Sequence, residues 1–228
     1  SAETKTLVPT IERVLSRFPI RRVVLVADRG LLSLDNLDAV KQIEVNGKPL
    51  EFILAVPARR YSDFDTLLAK FHRDDCGDAA DEVVGEFEWQ GHRLIVAHRP
   101  TLANELTTRR NQRIKALEDE AKRLANKLDE QDAGQRTRGR KLSDGGATAR
   151  FYQAVCEAKL AAIIKVDLTA DVFGYTIYQR TLKRAQLLDG KLILVSNVPD
   201  LDPTTLVKRY KALADIERGF RVLKSEIE

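Results

Sequence analysis

Apolar positions recur along this chain at two periods, and the switching between those periods predicts its elements. Leu7, Ile11, Val14, Leu15 and Phe18 fall at helical spacing, with Pro9 in the first turn, where a proline is tolerated. The unbroken apolar stretch Val23, Val24, Leu25, Val26 then reads as a buried strand over 22–27 that delivers Asp28 at its carboxyl end. A second helix is expected over 33–45, stopped by Asn46-Gly47, and a second strand over 52–56, closed by Pro57. Helix, strand, helix, strand in succession predicts an α/β fold whose parallel strands are joined by crossovers.

After a helix over 64–72 the pattern changes. Residues 86–98 alternate apolar and polar about Gln90-Gly91-His92, as a hairpin does. A long helix follows over 101–131, with Ile114, Leu117, Ala121, Leu124 and Leu128 on alternating steps of three and four. That seam fits a helix packed on its own domain or the start of a coiled coil. Residues 132–149, rich in Gly, Arg, Asp and Ser, read as a mobile loop. A helix over 151–160, a hairpin from 163–168 and 172–179, a short helix and a strand over 192–196 complete the pattern. The terminal helix opens at Pro203, with Asp202 as its N-cap.

Composition changes this picture little. Of 228 residues 43% are hydrophobic and 32% charged, which suits a globular protein with a highly charged surface. No apolar run is long enough to span a bilayer, so a cytoplasmic location is expected. Cys76 and Cys156 lack CxxC or Cys/His spacing and read as free thiols, and His72, His92 and His98 show neither ligand nor triad spacing. The net charge of +4 is compatible with nucleic acid without requiring it. The chain has no Met, opens on Ser-Ala and stops at Glu228 inside a helical pattern, so it is expected to be a piece of a longer protein.

Candidate chemistry lies on the terminal helix. Tyr210, Glu217 and Lys224 stand seven residues apart, which puts them on one helical face: a solvated stripe, or a phenol, carboxylate and ammonium placed to hold a metal and grip a phosphate. With the Asp28 strand, in the segment VVLVADRGLLSLDNL, and the block LLDGKLILVSN before the helix, this stripe resembles the DDE transposases of bacterial insertion sequences. Their signature is Tyr-x2-Arg-x3-Glu-x6-Lys; here the Arg position is Leu213.

The resemblance implies a partial RNase H-like core interrupted by a mixed β-rich and helical insertion. It assigns 1–83 to the core with the second Asp, 84–186 to the insertion and 187–228 to the return with the catalytic Glu. It implies that Asp28 and Glu217 are catalytic and hold two Mg2+ or Mn2+ ions in the complete site. The family's first Asp would lie on a strand ahead of Ser1, so this piece alone is expected to be inactive. Tyr210, Lys224 and Arg221 would contact the transposon end. Arg109, Arg110, Arg113, Arg138, Arg140 and Lys141 are basic positions that are either solvated or on DNA. The implied partners are terminal inverted repeats, target DNA and a second copy of the protein on that DNA, without a membrane. A catalytically silent DNA-binding or self-associating fragment, and an RNase H-like nuclease without transposition, remain open. Asp167 reads as a turn carboxylate, and Trp89 as a sheet-face residue or a platform for an extruded base.

Overall fold

A computed structural model describes residues 13, 24–27, 44–45, 47–77, 79–135 and 141–213. The chain divides into two units, one of Ser1–Pro100 and Gly190–Glu228 and one of Thr101–Asp189. The fold is α/β with a mixed sheet.

In the first unit a five-stranded sheet runs in the order β1 (Val24–Ala27), β4 (Glu51–Ala55), β9 (Lys191–Ser196), β6 (His92–His98), β5 (Val83–Trp89). β1 and β4 are parallel, with Leu25 opposite Phe52, as the alternation of elements predicted. β9 is antiparallel to both neighbours and so joins β4 to the β5–β6 hairpin. Its register is secured from the side: Asn197 accepts from the Phe52 amide at 2.8 Å and donates to the Leu50 carbonyl at 2.9 Å. The hairpin turns at Gln90 and Gly91, both at positive φ (50° and 71°), the two-residue geometry that matches strand twist.

Strand alternation gives this sheet two apolar faces. Ile53, Ala55, Ile95, Ala97 and Leu194 meet Leu206, Val207 and Tyr210 of the helix over 203–213, with Val24 and Val26 packed on the same cluster. That helix begins as expected, the Asp202 side chain accepting from the Thr205 amide at 3.0 Å. The opposite face carries Gly85, Phe87 and Trp89. Rings from a 3-10 turn (Ala58–Phe64) and from α1 (Asp65–Phe71) cover it: Phe71 stands edge-on to Phe87 at 5.7 Å, and Phe64 lies 5.1 Å from Trp89. Trp89 therefore takes the sheet-face role.

In the second unit α2 (Pro100–Asp132) buries Ile114, Leu117, Ala121, Leu124 and Leu128. They pack against Ala147, Phe151 and Val155 of α3 (Asp144–Glu157) and against Leu160, Ile163 and Ile164, so the seam belongs to a helix packed on its own domain. The short hairpin β7 (Ile164–Val166) with β8 (Tyr175–Ile177) and the helix α4 (Gln179–Leu188) complete this unit.

Three expectations are corrected. The 86–98 hairpin was grouped with the insertion, but its strands pair through β9 into the main sheet, because the apolar positions of β6 need a covered face. Glu44–Val45, expected to end a helix, forms β2 and pairs with β3 (Lys48–Pro49); Gly47 at φ 73° serves a two-residue hairpin instead of a helix stop. The loop expected over 132–149 gives way to helix from Asp144, since the Ser143 hydroxyl accepts from the Gly146 amide at 3.2 Å and caps a start that Gly145-Gly146 disguised.

Candidate functional site

The sequence-predicted residues divide by place. Asp28, Glu217, Arg221, Lys224, Arg138 and Arg140 lie outside the described residues. Asp28 follows directly on β1, and Glu217 comes four residues after the described helix over 203–213. The described parts of these two segments meet in one apolar cluster, of which Tyr210, 9% exposed, is a member. Tyr210 is thus a packing residue whatever else it does.

The basic positions of α2 differ from one another. Arg109 is exposed and lies 3.7 Å from Glu105. Arg110 is turned inward, its two terminal nitrogens donating to both Asp189 oxygens at 2.7 and 2.6 Å while the Thr107 hydroxyl donates to the same carboxylate at 2.8 Å. Arg113 donates to the Ala158 carbonyl at 3.1 Å, and Lys141 is exposed. Asp167 accepts from the amide and hydroxyl of Thr169, at 2.9 and 2.7 Å, and these bonds hold its carboxyl below the usual range. It is the turn carboxylate that the sequence suggested.

A second constellation had no assigned role in the sequence. The α1 helix widens into a π-type turn (His72–Cys76), closed by the Gly77 amide on the His72 carbonyl at 3.3 Å. Such wide turns recur at functional sites. Closing the turn five residues on brings His72 and Cys76, four apart, toward the same side. There they face His98, the last residue of β6, and Lys191, the first of β9, which are register partners. Donor atoms of His72, Cys76 and His98 all lie within 4.8 Å of one another. The Lys191 ammonium sits 3.2 Å from His72 Nδ1 and 2.9 Å from His98 Nδ1. Lys191, His98 and Cys76 are buried, at 6%, 6% and 2% exposure.

The electrostatics follow from this packing. An ammonium can only donate, which makes the two Nδ1 atoms its acceptors. Burial, then the Lys191 charge, lowers the His72 pKa. Burial raises the Cys76 thiol, with Lys191 pulling the other way and Asp75 adding to the rise. The arrangement sets two imidazoles on one lysine ammonium, with a thiol close to both imidazoles. This corrects the reading that His72 and Cys76 lack ligand spacing: they stand four apart and their donors converge, while His98 and Lys191 join only through strand pairing.

No family model matches this chain, and no curated protein or solved structure matches it. Among the described residues no helix is long and apolar enough to cross a membrane.

Proposed function

We propose that this chain is a catalytic-domain fragment of a DDE transposase, a metal-dependent polynucleotidyl transferase that cuts at transposon ends and joins the freed 3′ hydroxyl to target DNA. The observation that carries the reading is the shared cluster on one sheet face. β1, which runs into Asp28, and the helix over 203–213, which leads toward Glu217, are far apart in sequence yet pack on the same apolar residues. The parallel β1–β4 pair is compatible with an RNase H-like core, and the second unit, inserted between β6 and β9, accommodates the long separation of the two carboxylates.

In this reading Asp28 and Glu217 supply hard oxygen donors of the kind Mg2+ or Mn2+ takes, whereas the His72, Cys76, His98 set has no oxygen and does not suit Mg2+. When bound, two such ions supply activation of the attacking hydroxyl and stabilisation of the leaving oxygen. Tyr210 through its hydroxyl, with Lys224 and Arg221, holds the phosphate backbone, while the Tyr210 side chain also packs in the apolar cluster. Arg109, Arg113 and Lys141 are exposed and join them as contacts, while Arg110 is engaged with Asp189. The partners are the terminal inverted repeats, target DNA and a second copy assembled on that DNA, in the bacterial cytoplasm.

The test uses the protein that carries this chain, with paired donor ends and Mg2+. Asp28→Asn and Glu217→Gln should each reduce cleavage and joining by more than about 10²-fold, since losing even an outer-shell partner of a metal ligand costs up to that much. End binding should survive both substitutions. Cleavage without joining by the wild type would indicate a plain nuclease, and full activity in either variant would overturn the site.

A further inference from the structure

We propose that His72, Cys76 and His98 form a binding site for a borderline-soft cation of the Zn2+ class, with Lys191 as the resident cation when the metal is absent. The site is independent of the transposase reading, since it lies on the sheet face opposite the helix over 203–213.

The geometry carries this on three counts. The donors are two imidazoles and a thiol, a set that selects zinc-like ions and excludes Mg2+ and Ca2+. The imidazole lone pairs already converge on one point, because a single ammonium hydrogen-bonds both Nδ1 atoms, at 3.2 and 2.9 Å. Both Nδ1 atoms therefore already face a cation. The donor spread of at most 4.8 Å is wider than a tetrahedral zinc needs. Bond lengths of about 2.0–2.3 Å place neighbouring donors roughly 3.5 Å apart, so closure asks for about 1 Å of side-chain movement. Lys191 withdraws its ammonium when the metal enters, leaving the fourth position to water. Such a metal would clamp the His72–Cys76 turn to the ends of β6 and β9, beside the point where the Arg99 amide bonds the Gly190 carbonyl at 3.0 Å.

The experiment is titration with Co2+ and Zn2+ in a Cys156→Ser background, which removes the exposed thiol. Expected are one equivalent of Co2+ with a thiolate charge-transfer band and intense tetrahedral visible bands, displacement by Zn2+, and a rise in melting temperature with Zn2+. Cys76→Ser should abolish the band, and His72→Gln, at a half-buried position that tolerates the change better, should weaken binding at least about tenfold. Lys191→Met keeps the bulk and removes the competing charge, so it should tighten binding by about tenfold or more. No thiolate band in the Cys156→Ser protein, a band that persists in Cys76→Ser, or equal affinity in Lys191→Met would each overturn the proposal.

Discussion

At the scale of single residues, two ion pairs of similar length have different consequences because their burial differs. Arg93 grips Glu86 at 2.6 and 2.9 Å near solvent, and its third nitrogen donates to the Val198 carbonyl at 2.7 Å. The Arg93 hydrogen bonds hold the Glu86 carboxyl below its usual range, so the pair contributes stability above the unfolded pKa of about 4.3 and loses it as pH falls through the lower folded value. Glu86→Gln should cost about 0.5 kcal/mol at pH 7, and the difference should shrink as pH falls below the ordinary Glu range, as urea melts across pH would record. Arg110 and Asp189 are 12% and 7% exposed at their side chains. Arg110→Ala should destabilise by about 3 kcal/mol because it strands a buried carboxylate, whereas Arg110→Met with Asp189→Leu should restore most of that loss. Equal melts for the single and double variants would refute the explanation. The sequence showed Arg110 as one of several basic residues on α2; its turn inward depended on a partner 79 positions away.

At the scale of elements, local chemistry explains starts and turns, and packing explains the rest. Asp202, Ser143 and Gln90-Gly91 act within a few residues of themselves, which is why a cap or a hairpin turn can be read from sequence. The Ser143 cap was legible in principle, yet the glycines after it argued for loop. Gly85 is a different case, since its need comes from another element. A Cβ built there would stand 2.8 Å from a Phe71 ring carbon and 2.9 Å from one of Phe87. Gly85→Ala should therefore cost about 2 kcal/mol by overpacking. Loss of near-ultraviolet aromatic dichroism should accompany it, and an unchanged melt with unchanged dichroism would show that the rings give way freely.

At the scale of the whole molecule, the first unit depends on a strand that arrives after the second unit is complete. β9 lies between β4 and β6, and its first residue, Lys191, pairs with His98, the last of β6. The chain thus leaves and rejoins the sheet at neighbouring positions, as at the two ends of a hairpin. Replacing residues 100–189 by Asn-Gly should therefore convert β6 and β9 into a simple hairpin and leave a cooperatively folding sheet domain. Non-cooperative denaturation of that protein would show that the sheet needs the second unit. Among the described residues the sequence by itself determined the parallel β1–β4 pair, the long helix with its apolar seam, both β5–β6 and β7–β8 hairpins, and the Asp202 cap. These rest on periods and caps, whose physics is local. It also singled out Asp28 and the Tyr210, Glu217, Lys224 stripe by their spacing. Only the tertiary structure decided that the 86–98 hairpin belongs to the main sheet, that the β1 and 203–213 segments share an apolar cluster, and that His72, Cys76, His98 and Lys191 meet. Strand order and side-chain convergence depend on which distant apolar faces cover one another, and no local period encodes that choice.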